Sequence, residues 1–232
     1  MKSRLWPMLA MCGMLLLAFA QSALAANLTL PAIFCDNMVL QRGIKVPVWG
    51  TANPGDQVTV TFLKQHKSVK ADAQGNWMVK LDKLKAGGPF EMTIASGTNT
   101  ITYKNVLIGE VWVCSGQSNM EMVVRSSRNS ADEIANSANQ NIRLFTVRKK
   151  VSTAPLSTLD GQWTVCGPDT VGSFSAAGYF FGRELQKRLN VPVGLIHTSW
   201  GGTPAEAWTS HEFLLKDPDF QPILSRYKVP AG

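Results

Sequence analysis

The rhythm of hydrophobic and polar positions changes once along the chain. From Leu28 to about Ile108, short apolar–polar alternations are separated by turn residues. VPVWGTA at 46–52 runs into Asn53-Pro54-Gly55-Asp56, and QVTVTFL at 57–63 sets Val58, Val60 and Phe62 against Thr59 and Thr61. SVKADA at 68–73, WMVKL at 77–81, FEMTIAS at 90–96 and NTITYKNV at 99–106 follow, punctuated by Gln74-Gly75-Asn76, Ala86-Gly87-Gly88-Pro89 and Gly97. A period of two puts alternate side chains on opposite faces of a strand. Strands recurring about every ten residues predict a small antiparallel β-sandwich, with Trp49 and Trp77 expected in its core.

After Gly109 the pattern is different. Val111–Cys114 is almost continuously apolar, as in a strand covered on both faces. IRLFTV at 142–147 predicts a second strand. FSAAGYFFGRELQKRL at 174–189 places Ala177, Phe180, Phe181, Leu185 and Leu189 at three-to-four spacing, with Glu184 the polar exception, and predicts an amphipathic helix. Ser173 or Ser175 can cap its start, and Pro192 ends it. VPVGLIHTS at 191–199 predicts another buried strand, and a short helix is expected from Pro204. Strand, helix, strand implies a parallel α/β layer. Between Arg125 and Val171, apart from the strand at 142–147, only Asp132–Ala138 reads as a helix, the rest as loop. The expected order is a leader over 1–25, a β-sandwich domain over 26–108 and an α/β domain over 109–232.

The leader changes the accounting. Lys2 and Arg4 precede an apolar run from Leu5 to Ala20, and Ala23-Leu24-Ala25 has the small-x-small form of a cleavage site. This is the grammar of a secretory signal peptide. The run is about 16 residues, short of the roughly 20 that span a bilayer, and no later stretch is long and apolar enough to do so. The mature chain is therefore expected to be exported, to the periplasm or the extracellular space, with no membrane span. Without residues 1–25, 21 basic residues face 16 acidic ones, a net charge of +5. Apart from Arg148-Lys149-Lys150 the basic residues are scattered; no stripe or module points to nucleic acid. Cys35, Cys114 and Cys166 remain; an exported chain can form one disulfide and leaves at least one thiol over. Cys114, in an apolar strand, is expected as a core thiol. No Cys/His spacing suggests a metal.

Two glycine turns carry the candidate chemistry. Gly116-Gln117-Ser118-Asn119 follows the first apolar strand and exposes Ser118 where a helix would begin. Unpaired N–H groups there suit the oxyanion of an acyl-transfer intermediate, although a serine hydroxyl needs a base within reach. Taken alone, Ser118 also fits a plain helix cap. Ser199-Trp200-Gly201-Gly202-Thr203-Pro204 follows a second buried strand, and a glycine there lets backbone approach a ligand. Both turns fall at carboxyl ends of parallel strands, where α/β sheets build their sites.

V-W-V-C-S-G-Q-S-N-M-E-M (111–122), F-S-A-A-G-Y-F-F-G-R-E-L and S-W-G-G-T-P-A-E-A-W together resemble the sialate O-acetylesterases of the SGNH-hydrolase superfamily. V-L-Q-R-G-I-K-V-P-V-W-G-T-A-N-P-G-D and W-M-V-K-L…A-G-G-P-F-E-M-T-I resemble that family's N-terminal β-domain, so the likeness runs from about Leu30 to Ser210. It implies a flavodoxin-like parallel α/β domain after the sandwich. It also implies a carbohydrate esterase that removes O-acetyl groups from sialic acid or related sugars, with no metal or cofactor. Ser118 matches the nucleophile, its own N–H an oxyanion donor, and Gly201 a second donor, with Gly202 its neighbouring candidate. Glu121, Glu206 and Trp208 lie inside family motifs without an assigned chemistry, Trp208 being expected to pack.

The chain departs from the family pattern in two blocks. A Tyr-Gln-Gly-Glu-like segment is missing, and so is the Asp-x-x-His block that supplies the general base and its carboxylate. His66 and His211 are expected at the surface and His197 as a partly buried structural residue. The expectation is an incomplete esterase domain of low activity. A non-catalytic saccharide-binding protein is the alternative from another class, and a xylan-type acetylesterase the alternative within the enzymes.

Overall fold

The computed structural model describes residues 28–152 and 154–226, so the expected leader lies outside the described residues. The alternating first part forms β1 (Val39–Gln41), β2 (Val46–Thr51), β3 (Gln57–Phe62), β4 (Gln65–Lys70), β5 (Asn76–Leu81), β6 (Gly87–Ser96) and β7 (Asn99–Gly116). Strand β4 begins three residues before its expected place. The chain reverses immediately after β3, with Leu63 at φ 54°, and β4 has no apolar alternation to betray it. Antiparallel pairing joins β4, β3, β6 and the first part of β7, while β2 and β5 form a separate antiparallel pair. Val58, Val60 and Phe62 of β3 face inward beside Val48, Trp77, Leu81, Met92 and Ile94. Burying one such side chain is worth roughly 1.5–3 kcal/mol.

Strand β7 does not stop at residue 108. It runs on to Gly116 and there pairs in parallel with β10 (Val193–Ser199), which pairs in parallel with β8 (Asn139–Thr146). Strand β9 (Trp163–Cys166) closes that edge antiparallel to β8. One sheet thus passes from antiparallel to parallel pairing along a single strand, and the larger core reaches across to Phe145 and Trp163. The architecture is mixed α/β.

The described residues form six α-helices in chain order: α1 (Ser118–Glu121), α2 (Ser130–Ala135), α3 (Pro168–Val171), α4 (Ala176–Leu189), α5 (His211–Leu214) and α6 (Gln221–Leu224). The Ser175 hydroxyl caps α4, accepting from the Gly178 N–H at 3.1 Å. Its inner face differs from the expected one. Ala176, Gly178, Tyr179 and Gly182 are buried, whereas Ala177, Phe181 and Leu189 are exposed. The helix lies so close to the sheet that Leu195 and Cys114 occupy the space where side chains at 182 and 178 would stand. Phe180 and Leu185 pack against the core as expected, but Ala177, Phe181 and Leu189 do not, so counting large apolar residues placed the face only in part. Among the described residues, no helix is long and apolar enough to cross a membrane.

Val111–Cys114 also departs from expectation. Cys114 is buried under α4, but Trp112 is half-exposed against the edge of Phe181, 5.1 Å away, and Val113 is 64% exposed. Beyond residue 109 β7 pairs only with β10 among the described residues. The apolar run thus marks a strand with an open edge and one partly open face.

Arg143 of β8 ties this region together. Its buried guanidinium donates to the Gln140 carbonyl (3.1 Å), the Asn105 side-chain carbonyl (3.1 Å) and that of Asn37 (3.3 Å). Both asparagines have left-handed backbone, and Asn105 also donates to Asn37 at 2.8 Å. Replacing Arg143 by Ala removes a buried side chain and takes its donor from the Asn105 side-chain carbonyl and the Gln140 carbonyl. Arg143→Ala is predicted to lower stability by about 3 kcal/mol, measured as a shifted urea midpoint; a loss below about 1 kcal/mol would contradict the anchoring role.

Candidate active site

The parallel register brings the two turns together. Ser199 of β10 stands opposite Gly116 of β7, and the Trp200 N–H donates to the Gly116 carbonyl at 2.9 Å. Gly116 leaves the strand at φ 135°, a conformation a side chain would strain. The chain then enters α1 with Ser118 at its first position, exposed, its hydroxyl donating only to the neighbouring Gln117 side-chain carbonyl at 3.3 Å. Helix α1 is a single turn, held from below because the Ala176 N–H at the start of α4 donates to the Met122 carbonyl at 2.8 Å.

Gly201 lies beside the serine. A Cβ built on Gly201 would stand 3.5 Å from the Ser118 hydroxyl oxygen and collide with the Glu121 carboxylate. Ser118, Gly201 and Glu121 therefore share one small space that only a glycine at 201 leaves open. The Gly201 N–H is not free: it donates to one oxygen of Glu121, and the ammonium of Lys149 donates to the other. Gly202, at φ 77°, is exposed, with nothing near the place of its absent side chain. Lys149 also sits 5.4 Å over the Trp200 ring. These contacts hold the Glu121 carboxyl below its ordinary range, through Lys149 first and the Gly201 N–H second. Sequence reading assigned Glu121 no chemistry; its position three residues after Ser118, on a one-turn helix facing the second turn, was the available signal.

The histidines do not serve Ser118. His66 lies in β4 near Thr61 (3.2 Å), and His211 is exposed at a helix start. His197 is buried, as expected of a structural residue, packs edge-on against Phe174, and shares a 2.6 Å hydrogen bond with the Ser199 hydroxyl through Nε2. Its Nδ1 is buried without a partner. Ser199, only 8% exposed, is too enclosed to attack a substrate. The thiols offer no substitute nucleophile. Cys114 and Cys166 are buried, burial raises both pKa values, that of Cys166 to about 12, and all three described cysteines are unbridged. Among the described residues no cluster of His, Cys, Asp or Glu is arranged to hold a metal.

A cleft of about 720 Å³ opens beside the second turn. Trp49, Trp200 and Trp208 line it with Arg148, Lys149 and Lys150. Trp77 is in the core as expected, but Trp49 is half-buried against Phe34 (4.7 Å) and faces the cleft. Trp208, expected to pack, is 42% exposed, and its indole N–H donates to Thr203 at 2.8 Å. Aromatic faces rimmed by cations suit a polar ring-shaped ligand.

The family described as carbohydrate esterase, sialic acid-specific acetylesterase, matches residues 108–230. A sialate O-acetylesterase from Pongo abelii is 40% identical over 200 residues, covering 77% of this chain and 38% of the relative. One from Rattus norvegicus is 38% identical, covering 87% of this chain and 41% of the relative. A solved carbohydrate acetylesterase from Xanthomonas citri superposes with a TM-score of 0.79 at 36% identity, over 82% of this chain and 44% of the other. The chain thus spans about two fifths of the length of these curated relatives.

Burial lowers the pKa of His197, an effect that Glu121 opposes and Lys149 reinforces. Its folded pKa lies below the unfolded value, so on acidification the unfolded chain binds a proton first and stability falls from the ordinary histidine range downward. Thermal melts between about pH 7 and pH 5 should show a steeper loss for the wild type than for His197→Phe; superimposable slopes would contradict the burial of a neutral imidazole.

Proposed function

The chain belongs to the sialic acid-specific acetylesterase family of carbohydrate esterases, and on that premise we propose that it is an exported serine esterase acting on O-acetylated saccharides, sialic acid or a related sugar. The observation that carries this reading is the approach of Ser118 to Gly201 at the paired ends of β7 and β10. The names of the relatives and of the solved neighbour agree in substrate class. Export rests on the leader grammar of residues 1–25.

In the proposed reaction the Ser118 oxygen adds to the acetyl carbonyl carbon and gives its proton to a base. The carbonyl electrons move to oxygen, where backbone N–H groups of Ser118 and of the 201–202 turn receive the charge. Collapse expels the sugar oxygen, which takes a proton, and leaves acetyl-Ser118. Water then adds to the acetyl group and releases acetate and the serine. The cleft beside Trp200 and Trp208 is where we seat the sugar ring, the acetyl group reaching over Gly201.

No described base is hydrogen-bonded to the Ser118 hydroxyl. A serine without its base keeps only roughly 10³–10⁴-fold of catalysis over water, from binding and oxyanion donors. The chain is therefore predicted to hydrolyse a chromogenic acetyl ester slowly at best, and Ser118→Ala is predicted to leave most of that residual rate in place. Robust turnover abolished by Ser118→Ala would refute the prediction of low activity.

A further inference from the structure

The Gly201 N–H that an oxyanion on Ser118 would use already serves a full negative charge. Glu121 takes this hydrogen with one carboxylate oxygen and the Lys149 ammonium with the other. The Ser118 hydroxyl oxygen lies 3.5 Å from the place a Cβ on Gly201 would take, beside the same carboxylate. One N–H cannot serve a carboxylate and a developing oxyanion at once, and the two negative charges repel at this range. The Glu121 and Lys149 side chains remain 32% and 43% exposed, so the carboxylate has solvent to move into. A buried brace would lack that freedom.

We infer that Glu121 is a latch on the Gly201 N–H: it masks this donor at rest, and the donor serves an oxyanion only after the carboxylate swings away towards Lys149. The inference rests on the serine-esterase reading for its meaning. Glu121 is a positioning residue here, acting through Gly201 rather than on the substrate. The charged and titratable groups facing it are Lys149, from the segment after β8, and His197, from β10. Lys149 retains the carboxylate after release, and its contact with Trp200 keeps the ammonium beside the turn. Displacement of the latch thus costs one hydrogen bond and leaves the ion pair in place.

The test uses this chain with Glu121→Ala, Glu121→Gln and Ser118→Ala, each checked for folding by circular dichroism and thermal melting. The first readout is the Gly201 amide in nitrogen-15 NMR. It should titrate with the Glu121 carboxyl below the ordinary carboxylate range and lose that titration in Glu121→Ala. The second is equilibrium binding of phenylboronic acid. The Ser118 oxygen bonds to the trigonal boron and its proton passes to solvent, leaving a tetrahedral boronate anion beside the N–H donors. Glu121→Ala should bind about tenfold tighter than wild type, Glu121→Gln should fall between them, and Ser118→Ala should not bind. Tighter binding by wild type and Glu121→Gln than by Glu121→Ala would make the carboxylate a fixed brace and overturn the latch. An unmoved Gly201 amide, or Ser118-dependent binding that Glu121→Ala leaves unchanged, overturns it too. If no variant binds through Ser118, the serine reading and the latch fall together.

Discussion

The parallel pairing of β7 with β10 is the constraint from which the rest of the site follows, and the hydrogen bond from the Trp200 N–H to the Gly116 carbonyl, at 2.9 Å, is its last rung. Parallel strands end on the same edge of a sheet, so two turns far apart in sequence leave it side by side. A slip of one residue would turn every side chain to the other face. Here the register is fixed from both directions: β7 is pinned along its first part by β6, and β10 lies between β7 and β8. The β-rich first part of the chain therefore helps to place Ser118, because the strand that leads to the serine is also a strand of that part.

Charge gives the site its second layer. The Arg148-Lys149-Lys150 run reads in sequence as a minor cluster, but the fold brings it to the rim of a cleft containing three tryptophans. Lys149 bridges that rim and the Ser118 turn through Glu121. His197 stays behind this layer, neutral and buried, bonded to Ser199 rather than to Ser118. Its bond steadies the end of β10 just before the chain turns through Trp200 to Gly201.

Much of this was legible before any coordinates. Strands with clean alternation, such as 46–51 and 57–62, were readable because one face is buried and the other is not. The two turns were readable because Gly116 and Gly201 each interrupt an apolar run. What escaped reading did so for identifiable reasons. Strand β9 has four residues and takes its stability from Leu144 and Phe145 across the sheet. Two of the four buried positions of α4, Gly178 and Gly182, are glycines, which carry no hydrophobic signal. Val113 looks like a core residue and is open, because apolarity reports what a position tolerates rather than what covers it. The Glu121–Gly201 contact spans 80 positions, beyond the reach of any local pattern.

The central claim is that the geometry at the β7 and β10 ends makes Ser118 the reactive serine. Peptide mapping by tandem mass spectrometry after prolonged exposure to a fluorophosphonate tests it most directly. The account predicts one phosphonylated residue, Ser118, with fluoride displaced from phosphorus. Modification of Ser199, the serine that does have a histidine partner, or no adduct at Ser118, would contradict it.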